Sequence, residues 1–339
     1  MPKLEIKRIK GRRYIYIKDK VKVNGRSIDI TIYVGRFEKV DESILLKKID
    51  ELLLKKLKKY IEYRLKKFKC DHLTENQVKE IEKLRFYYQY FKEYYPDEVR
   101  RYEEIQFVRY VHGTTAIEGN TITLRQAEEL LEHGITPAGK TLREIYEVIN
   151  FKKLREFLSN YKGDITERLI KKMHAIIMEN ILEAPGEYRK ILVGIEGSNY
   201  MPPPPFEIPE LLKELVEWYR KNKRKLHPFE LAVLLHTKFV LIHPFVDGNG
   251  RVARALMNFV LERNGYPTLY IGLEHRERYL DAIEKAVDCD FKPIIDFMYD
   301  VYVKQHRAIM ESIEKSTVII APERNELLKQ FRKLKIKNE

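Results

Sequence analysis

The residue types best suited to chemistry in this chain are concentrated in nine consecutive positions, His243 to Arg251, which read His-Pro-Phe-Val-Asp-Gly-Asn-Gly-Arg. An imidazole takes up a proton near neutral pH, so His243 is a candidate general base. Asp247 offers a hard carboxylate oxygen of the kind that holds Mg²⁺ on a polyphosphate. A Gly-Asn-Gly turn that opens a helix points backbone N–H groups at a bound anion. With the guanidinium of Arg251, the string predicts a phosphoryl- or nucleotidyl-transfer site.

Two apolar stretches flank this string, residues 231–242 and residues 252–261, and both are typical of buried helices. A glycine-rich turn alone would be ordinary punctuation between two helices. The full string of His, Pro, Phe, acid, Gly, Asn, Gly and Arg between helical flanks is far more specific.

The string resembles the signature of the Fic family, which is His-Pro-Phe, any residue, Asp or Glu, Gly-Asn, Gly or Lys, and Arg; every defined position matches. Residues 183–189 are similar to the family's Pro-Gly-x-Tyr-Arg segment. Residues 193–205, with a run of four prolines, look like its flap, a short hairpin that aligns the target. Residues 278–282 resemble the later helix that approaches the nucleotide base. The resemblance extends from about Thr114 to about Tyr302, more than half of the chain.

A second string, Thr114 to Asn120, matches the family's inhibitory motif of Ser or Thr, three residues, Glu, and Gly or Asn. In the family this glutamate, here Glu118, pairs with the second arginine after the signature, here Arg254, which otherwise holds the γ-phosphate of ATP. An arginine–carboxylate pair is planar and strong enough to displace phosphate from the same donors. Without the core signature Glu118 would be read as an ordinary helix-end acid. With it, the chain is similar to Fic proteins that carry their inhibitor in cis, ahead of the catalytic domain.

The resemblance implies a mainly α protein, a Fic-type helical bundle with a β-hairpin flap. The residue patterns of the first 70 residues, described below, add an N-terminal β-hairpin and a basic helical module. It implies transfer of AMP from ATP, with Mg²⁺, to a Ser, Thr or Tyr hydroxyl of a target protein. The implied roles are general base for His243, Mg²⁺ ligand for Asp247, phosphate contacts for Gly248, Asn249, Gly250, Arg251 and Arg254, base contact for Tyr279, inhibition for Glu118, and target docking for Val193, Gly194, Ile195 and Tyr200.

Two alternatives stay open from the sequence. Related enzymes transfer other phosphate-containing groups, or use the inhibitory glutamate to orient water and remove AMP. A different class of protein, a nucleic-acid-binding regulator, would use the same core as a sensor. The target protein is not named by any motif, and self-modification is compatible with the resemblance.

Length and composition fit a cytoplasmic enzyme. The 339 residues allow two or three domains, and 44% hydrophobic residues supply a sizeable core. No apolar run approaches the roughly 20 residues that span a bilayer, and the N-terminal residues lack the apolar centre of a signal peptide. The two cysteines, Cys70 and Cys289, lie far apart and suggest neither a disulfide framework nor a zinc site. His236, seven residues before His243 on the same helix face, is predicted to be a packed, hydrogen-bonded histidine rather than a metal ligand.

The net charge of +13 lies entirely in residues 1–70, which hold 22 of the 64 Lys and Arg residues but only 9 of the 51 Asp and Glu residues. Alternation around Asn24-Gly25 predicts a β-hairpin there. Apolar residues at helical spacing predict a helix over residues 42–68. This segment could bind nucleic acid or another acidic partner. Because Lys-rich faces are usually only solvated, we favour packing or dimerisation, as a homodimer, over nucleic-acid binding.

Four segments follow from these patterns. Residues 71–110 read as two helices separated near Pro96, and the end of the chain carries a short basic amphipathic segment, residues 327–336. The predicted division is a basic N-terminal module at residues 1–70, a helical region with the inhibitory motif at 71–135, a Fic catalytic core at 136–303, and a C-terminal helical tail at 304–339.

Overall fold

The computed structural model describes residues 1–23, 25–195, 200–315 and 321–338. The chain divides into two compact units. One comprises Met1–Lys67, Val78–Pro96 and His306–Glu339, and the other comprises Phe68–Gln77 and Asp97–Gln305. We call the first the N-terminal unit and the second the catalytic unit.

The secondary structure is mainly helical, as the sequence predicts. The strands are β1 (Lys3–Ile9), β2 (Arg12–Val23) and β3 (Arg26–Arg36), and the helices are α1 (Glu42–Lys67), α2 (Glu75–Tyr94), α3 (Pro96–Ala116), α4 (Leu124–His133), α5 (Leu142–Asn160), α6 (Glu167–Ile177), α7 (Ile208–Asn222), α8 (Pro228–Ile242), α9 (Asn249–Arg263), α10 (Arg276–Lys285), α11 (Lys292–Lys315) and α12 (Ala321–Asn338).

The N-terminal unit holds an antiparallel sheet in the order β1-β2-β3. The predicted hairpin is β2–β3, in which Val23 pairs with Arg26; Asn24 of its turn lies outside the described residues. The expectation of a single hairpin here is incomplete, because β1 adds a third strand, with Ile9 paired to Arg12. The two residues between them, Lys10 and Gly11, both have positive φ, 50° and 76°. That is the geometry of a tight type I′ hairpin turn, here without the Asn-Gly signal that usually reveals it.

One face of this sheet forms the core of the N-terminal unit. Alternate residues of β2 point inward, and Ile15 and Ile17 are fully buried. Helix α1 packs against β2 and β3 and contributes Leu45, Ile49 and Leu52 to the same cluster. The amphipathic pattern of residues 42–68 therefore serves packing within this unit.

The centre of the catalytic unit is α8, whose residues from Pro228 to Thr237 are all buried. A helix that is apolar on every side is stable only when neighbours surround it, and α7 and α9 pack against it. The buried carboxylate of Glu230 accepts backbone N–H groups of residues 71–73 at 2.9–3.3 Å. These hydrogen bonds fix the N-terminal end of α8, and with it the position from which the following loop begins.

Capping residues define the helices that precede this core. Thr123 caps α4, and Thr141 caps α5; both form capping boxes, with Gln126 and Glu144 three residues later. Gly134 ends α4 with φ 70°, a left-handed conformation that favours glycine. These local signals fix where α4 and α5 begin and where α4 ends.

The predicted flap is less regular than expected. Val193, Gly194, Ile195 and Tyr200 are not in strands, so the described residues give no β-hairpin there; residues 196–199 of the prediction lie outside the described residues. The predicted helices 71–110 correspond to α2 and α3, which separate at Tyr95. Within the described ranges, each helix is too short or too polar to cross a bilayer. The four-segment division stays a prediction.

Candidate active site

The nine-residue string forms a closed loop between α8 and α9. His243 ends α8 in the left-handed region, with φ 50°, which is uncommon for a residue with a side chain. The side chain of Asn249 closes the loop: its Oδ1 accepts the N–H of Phe245 at 2.9 Å and its Nδ2 donates to the carbonyl of the same residue at 2.8 Å. Gly248 precedes α9 with φ 82°. The loop is therefore held by its own sequence between two packed helices.

His243 is arranged to accept a proton at one nitrogen. Its Nδ1 lies 3.3 Å from the carbonyl oxygen of Val240. A carbonyl only accepts, so this contact favours the tautomer that carries its proton on Nδ1 and leaves the lone pair on Nε2. Burial lowers the pKa of His243, which keeps the ring neutral and able to act as a base at neutral pH.

Asp247 is ionised and held on both sides. Its Oδ1 accepts the N–H of Gly248 at 2.6 Å and Arg251 at 2.8 Å. Its Oδ2 accepts Arg143 of α5 at 2.6 Å. Burial alone would favour the neutral acid, but Arg251, the Gly248 N–H and Arg143 outweigh it and lower the pKa of Asp247. The side chain is a charged oxygen donor at physiological pH.

These residues fit a Mg²⁺ ion that arrives with a nucleotide. Within the described part of the chain, no group of three or more His, Cys, Asp and Glu side chains could hold a metal by itself. Mg²⁺ on a polyphosphate needs only one or two carboxylates, because phosphate and water supply the other ligands. Asp247 is partly exposed, at 31% of its side chain, and Oδ2 is the oxygen not engaged by its own loop. It is the one acid of the loop that suits this task.

The sequence predicts that Arg251 binds phosphate, but in the structure its guanidinium is paired with two carboxylates of the protein. The side chain is 1% exposed and donates to Glu147 at 3.0 Å and to Asp247 at 2.8 Å. Its Nε is buried and has no hydrogen-bond partner among the described residues. Arg251, in the first turn of α9, thus joins Asp247 of the loop to Glu147 of α5. Its contact with phosphate stays a prediction.

Glu118 and Arg254 lie together, although 136 residues separate them. Glu118 Oε1 is 2.7 Å from Arg254 Nη2. Thr114, at the other end of the same string, accepts from Arg254 Nε through its hydroxyl at 2.6 Å and from Nη2 through its carbonyl at 2.8 Å. Burial opposes the charge on Arg254, but the Glu118 carboxylate and Tyr279 raise its pKa. Nε and Nη2 of the guanidinium are thus engaged by residues of one motif.

The Glu118 carboxylate also lies against the start of α9. A Cβ added to Gly250 would collide with Glu118 Oε1 and would lie 2.9 Å from Arg254 Nη1. The first N–H groups of a helix have no partner within it, and they attract anions. Glu118 therefore places its negative charge where the anion cradle was predicted from Gly248, Asn249 and Gly250.

Tyr279 lies behind Arg254, in the interior. Its hydroxyl is 2.7 Å from His236 Nε2, and both side chains are buried. Burial lowers the pKa of His236 to about 3, so that ring is neutral. The prediction that His236 is a packed, hydrogen-bonded histidine is confirmed. Tyr279 does not present an open ring face, and its contact with a base stays a prediction.

His174 of α6 joins two loops of the site, and no sequence motif revealed it. Its Nδ1 accepts the N–H of Gly186 at 2.7 Å. Its Nε2 therefore carries the proton and donates to the carbonyl of Asp247 at 2.9 Å. The ring stacks on Phe245 with a centroid distance of 3.7 Å. Burial lowers the pKa of His174 to about 4, which suits a structural, neutral imidazole.

Arg189 connects the flap segment to the catalytic loop. Its Nε donates to the carbonyl of His243 at 2.8 Å, and Nη1 donates to the carbonyl of Ile191 at 3.0 Å. Nη2 donates to the carbonyl of Pro203. Tyr200 donates to the carbonyl of Leu241 at 3.1 Å. Tyr200 and Pro203 of the predicted flap, and Ile191 just before it, are thus held close to the end of α8, beside His243.

Sequence reasoning did not select Arg143, Glu147, His174 or Arg189 as site residues. Arg189 stood in a recognised segment, so the signal existed. Arg143 and Glu147 lie one turn apart on α5 and reach the loop across more than a hundred residues. Only the packing of α5 against the loop reveals them.

The chain is similar to known proteins. The model of the Fic/DOC family matches residues 164–261. A Drosophila melanogaster protein named protein adenylyltransferase Fic is 33% identical over 208 residues, which make up 60% of this chain and 42% of that protein. The chain thus spans about two fifths of the length of the curated relatives it matches.

Two solved structures share the fold. A fragment of Fic-1 from C. elegans is 27% identical with a TM-score of 0.61, over 71% of this chain and 73% of that one. A Fic domain containing signalling protein from Bacteroides thetaiotaomicron is 26% identical with a TM-score of 0.62, over 70% of this chain and 99% of that one. Residues 164–261, which include most of the helix–loop–helix around His243, are therefore similar to domains of the Fic/DOC family.

Proposed function

We propose that this protein is a protein adenylyltransferase, which moves AMP from ATP to a hydroxyl of a target protein. The observation that carries the proposal is the loop itself. A neutral imidazole, an ionised aspartate and the start of α9 converge within nine residues on a fold shared with Fic proteins. Relatives that are 32–33% identical carry the name protein adenylyltransferase, which favours this chemistry over transfer of another phosphate-containing group.

The reaction needs a base, a place for the phosphates and a fixed line of attack. His243 Nε2 takes the proton of a Ser, Thr or Tyr hydroxyl, whose oxygen attacks the α-phosphorus of ATP. The bond between that phosphorus and the α–β bridging oxygen breaks, and pyrophosphate leaves. The N–H groups at the start of α9 bind the phosphate oxygens. Positioning and electrostatics supply most of the acceleration in such transfers.

Asp247 Oδ2 would hold Mg²⁺, which supplies positive charge for the phosphate oxygens when it is bound. Arg143 now donates to that oxygen at 2.6 Å. Since Arg143 is about half exposed, it can turn towards solvent and release Oδ2. Arg251 then keeps Asp247 in place through Oδ1.

Glu118 inhibits this site in the proposed mechanism. Its carboxylate engages Arg254 and lies at the start of α9, where it competes with the γ-phosphate for the same donors. ATP can then bind only in a pose unsuited to in-line attack. Rotation of Glu118 away from α9 would leave Arg254 and the start of α9 available to the γ-phosphate.

The target segment docks along Val193, Gly194 and Ile195 in this proposal. Arg189 supports it, because one guanidinium binds the carbonyl of His243, that of Pro203 in the flap and that of Ile191 just before the flap. A target segment bound there would be held at a fixed position relative to the base, His243. The target protein is unnamed, and the protein itself is one acceptor to test.

The experiment is transfer of label from α-labelled ATP to protein in the presence of Mg²⁺. We expect label on protein, with Glu118→Gly labelled more strongly than the parent. Label from γ-labelled ATP would overturn the proposal in favour of phosphoryl transfer. The absence of protein label from both, with a cell extract as acceptor source and Glu118→Gly as enzyme, would overturn transfer to protein altogether.

A further inference from the structure

Among the described residues of the N-terminal unit, none packs an apolar core against the second face of the sheet. The inward side chains of β2 and β3, among them Ile15, Ile17 and Ile32, are buried against α1 and its neighbours. The apolar side of the sheet is thus already covered within the unit. The side chains that alternate with them lie on the outer face, and they include tyrosines as well as charged residues.

Three tyrosines form a cluster on this outer face. Tyr16 pairs with Tyr33 across β2 and β3, and their ring centroids lie 5.5 Å apart. Tyr14 lies 6.1 Å from Tyr33. Tyr33 is 51% exposed, so much of its ring faces water. Grouped aromatic rings with polar tips are typical of recognition surfaces, because they add contact area at a small entropic cost.

Cations surround the tyrosine cluster. Lys18, Lys20 and Lys22 alternate along β2 on the outer face, and all three are exposed. Lys7 of β1 lies over the ring of Tyr16, 5.1 Å from its centroid. The outward side chains of the three strands include the cations Lys3, Lys7, Arg12, Lys18, Lys20 and Lys22, and the acids Glu5 and Asp29.

The acids neutralise only part of this charge. Glu5 pairs with Lys18 at 2.8 Å, and Asp29 lies 3.6 Å from Lys20. Exposed pairs of this kind are weak, so a polyanion can replace them at little cost. The outward side chains named above are six cations against two acids, so the face keeps a positive charge. Together with the tyrosine rings, this charge suits a polyanion that carries flat bases.

We propose that the outer face of the sheet binds double-stranded DNA. The row of lysines on β2 contacts backbone phosphates. Tyr14, Tyr16 and Tyr33, which lie farther along the same face, enter the groove next to those phosphates. The B-form major groove is about 12 Å wide and admits a β-ribbon, whereas the major groove of A-form RNA is too narrow for protein side chains. The sheet has three strands in the order β1-β2-β3. Neighbouring strands are about 4.8 Å apart, so the axes of the three strands span roughly 10 Å, which is within the width of the DNA groove. This revises the preference drawn from the sequence, because the apolar faces that suggested dimerisation are occupied inside the unit.

Binding of the full-length protein to a short fluorescein-labelled DNA duplex tests the proposal by anisotropy. The affinity should fall steeply between about 50 and 200 mM salt. The triple variant Lys18→Gln, Lys20→Gln, Lys22→Gln should bind at least about tenfold more weakly, and its log–log salt slope should be smaller by about 3, roughly one for each lost phosphate contact. Tyr33→Ala should weaken binding without changing that slope.

The matched control removes the same charge from another surface of the same unit. Lys47→Gln, Lys58→Gln, Lys66→Gln changes three exposed residues of α1, and it should bind DNA like the parent. If this control loses as much affinity as the β2 variant, the attraction is diffuse and the sheet face is not a site. Thermal unfolding of both variants should match the parent, since all six lysines are exposed.

Other partners give different outcomes. Equal or tighter binding to an RNA duplex of the same sequence, or binding to vesicles of anionic lipid without binding to DNA, would overturn the proposal. A change in solution mass from dimer to monomer on Tyr33→Ala would show that a second copy of the chain covers the face, and would also overturn it. None of these results depends on catalytic activity at His243.

Discussion

The carboxylate of Glu118 accepts a hydrogen bond from Arg254 at 2.7 Å, and the same carboxylate lies against Gly250 at the start of α9. One acidic side chain therefore covers both of the groups that the proposed mechanism assigns to the phosphates of ATP. Thr114 holds the other edge of the same guanidinium. Regulation and catalysis are joined at this pair in the proposed mechanism.

Glu118→Gly should raise protein labelling by roughly tenfold or more, since hydrogen bonds to charged groups contribute about 1.5–3 kcal/mol. Glu118→Gln should give a smaller rise, because it keeps the shape and loses the charge. The double variant with Arg254→Ala should lose most of the gain. Label transfer from α-labelled ATP measures all four proteins. Equal labelling by parent and Glu118→Gly, with equal ATP affinity, would leave Glu118 without an inhibitory role. A loss of AMP removal from labelled protein in Glu118→Gly would point to the reverse reaction.

His243→Ala should reduce transfer by about 10²–10⁴-fold, the usual loss when a positioned base is removed. ATP affinity should change little, because the groups at the start of α9 remain. His133→Ala, which removes an exposed histidine at the end of α4, should leave transfer unchanged. Burial lowers the pKa of His243, so the rate should stay level down to pH values below the ordinary histidine range and fall only at lower pH. An unchanged rate in His243→Ala would exclude it as the base.

Arg143→Gln should lower the Mg²⁺ concentration required for half-maximal ATP binding by roughly two- to fivefold, the range expected when an exposed ion pair is lost. The reason is that Arg143 occupies Asp247 Oδ2. Asp247→Asn should weaken the Mg²⁺ dependence of ATP binding. Arg125→Gln, which loses only the exposed pair with Glu129, is the control. Calorimetric ATP titrations at several Mg²⁺ concentrations measure this. A higher Mg²⁺ requirement in Arg143→Gln would mean that Arg143 assists the ion instead of competing with it.

His174→Phe should keep the stacking on Phe245 and lose both hydrogen bonds of the ring. We expect kcat to fall more than ATP affinity, because the loop of Asp247 loses its tie to Gly186. The pKa of His174 is lowered to about 4 in the folded protein, so unfolding below the ordinary pKa near 6.5 takes up a proton. The stability of the parent should therefore fall as pH drops from about 6.5 towards 4.

The variant should show a smaller loss over that window, since one proton-linked group is missing. Melting temperatures of parent and His174→Phe at several pH values provide the measurement. His174→Gln, which can still donate to the carbonyl of Asp247, should recover part of kcat. Parallel pH curves for parent and His174→Phe would show that the ring does not stabilise the fold as a neutral group.

Local patterns were enough for much of this fold. The apolar stretch of α8 and the alternation in β2 are short-range signals, and the structure has elements where they predict them. The loop from His243 to Arg251 is also local, because Asn249 closes it onto Phe245 within four residues. The local sequence alone is therefore enough to predict this candidate site.

Only the tertiary structure decided which groups meet at that loop. Arg143, Glu147 and His174 carry no pattern of their own, and they reach the loop because α5 and α6 pack beside it. The same packing places Arg251 between the carboxylates of Glu147 and Asp247, whereas the sequence predicts that it binds phosphate. Likewise, β1 depends on a Lys10-Gly11 turn that composition does not reveal. A side chain's partner across a hundred residues follows from how buried helices pack, and packing depends on the whole chain at once.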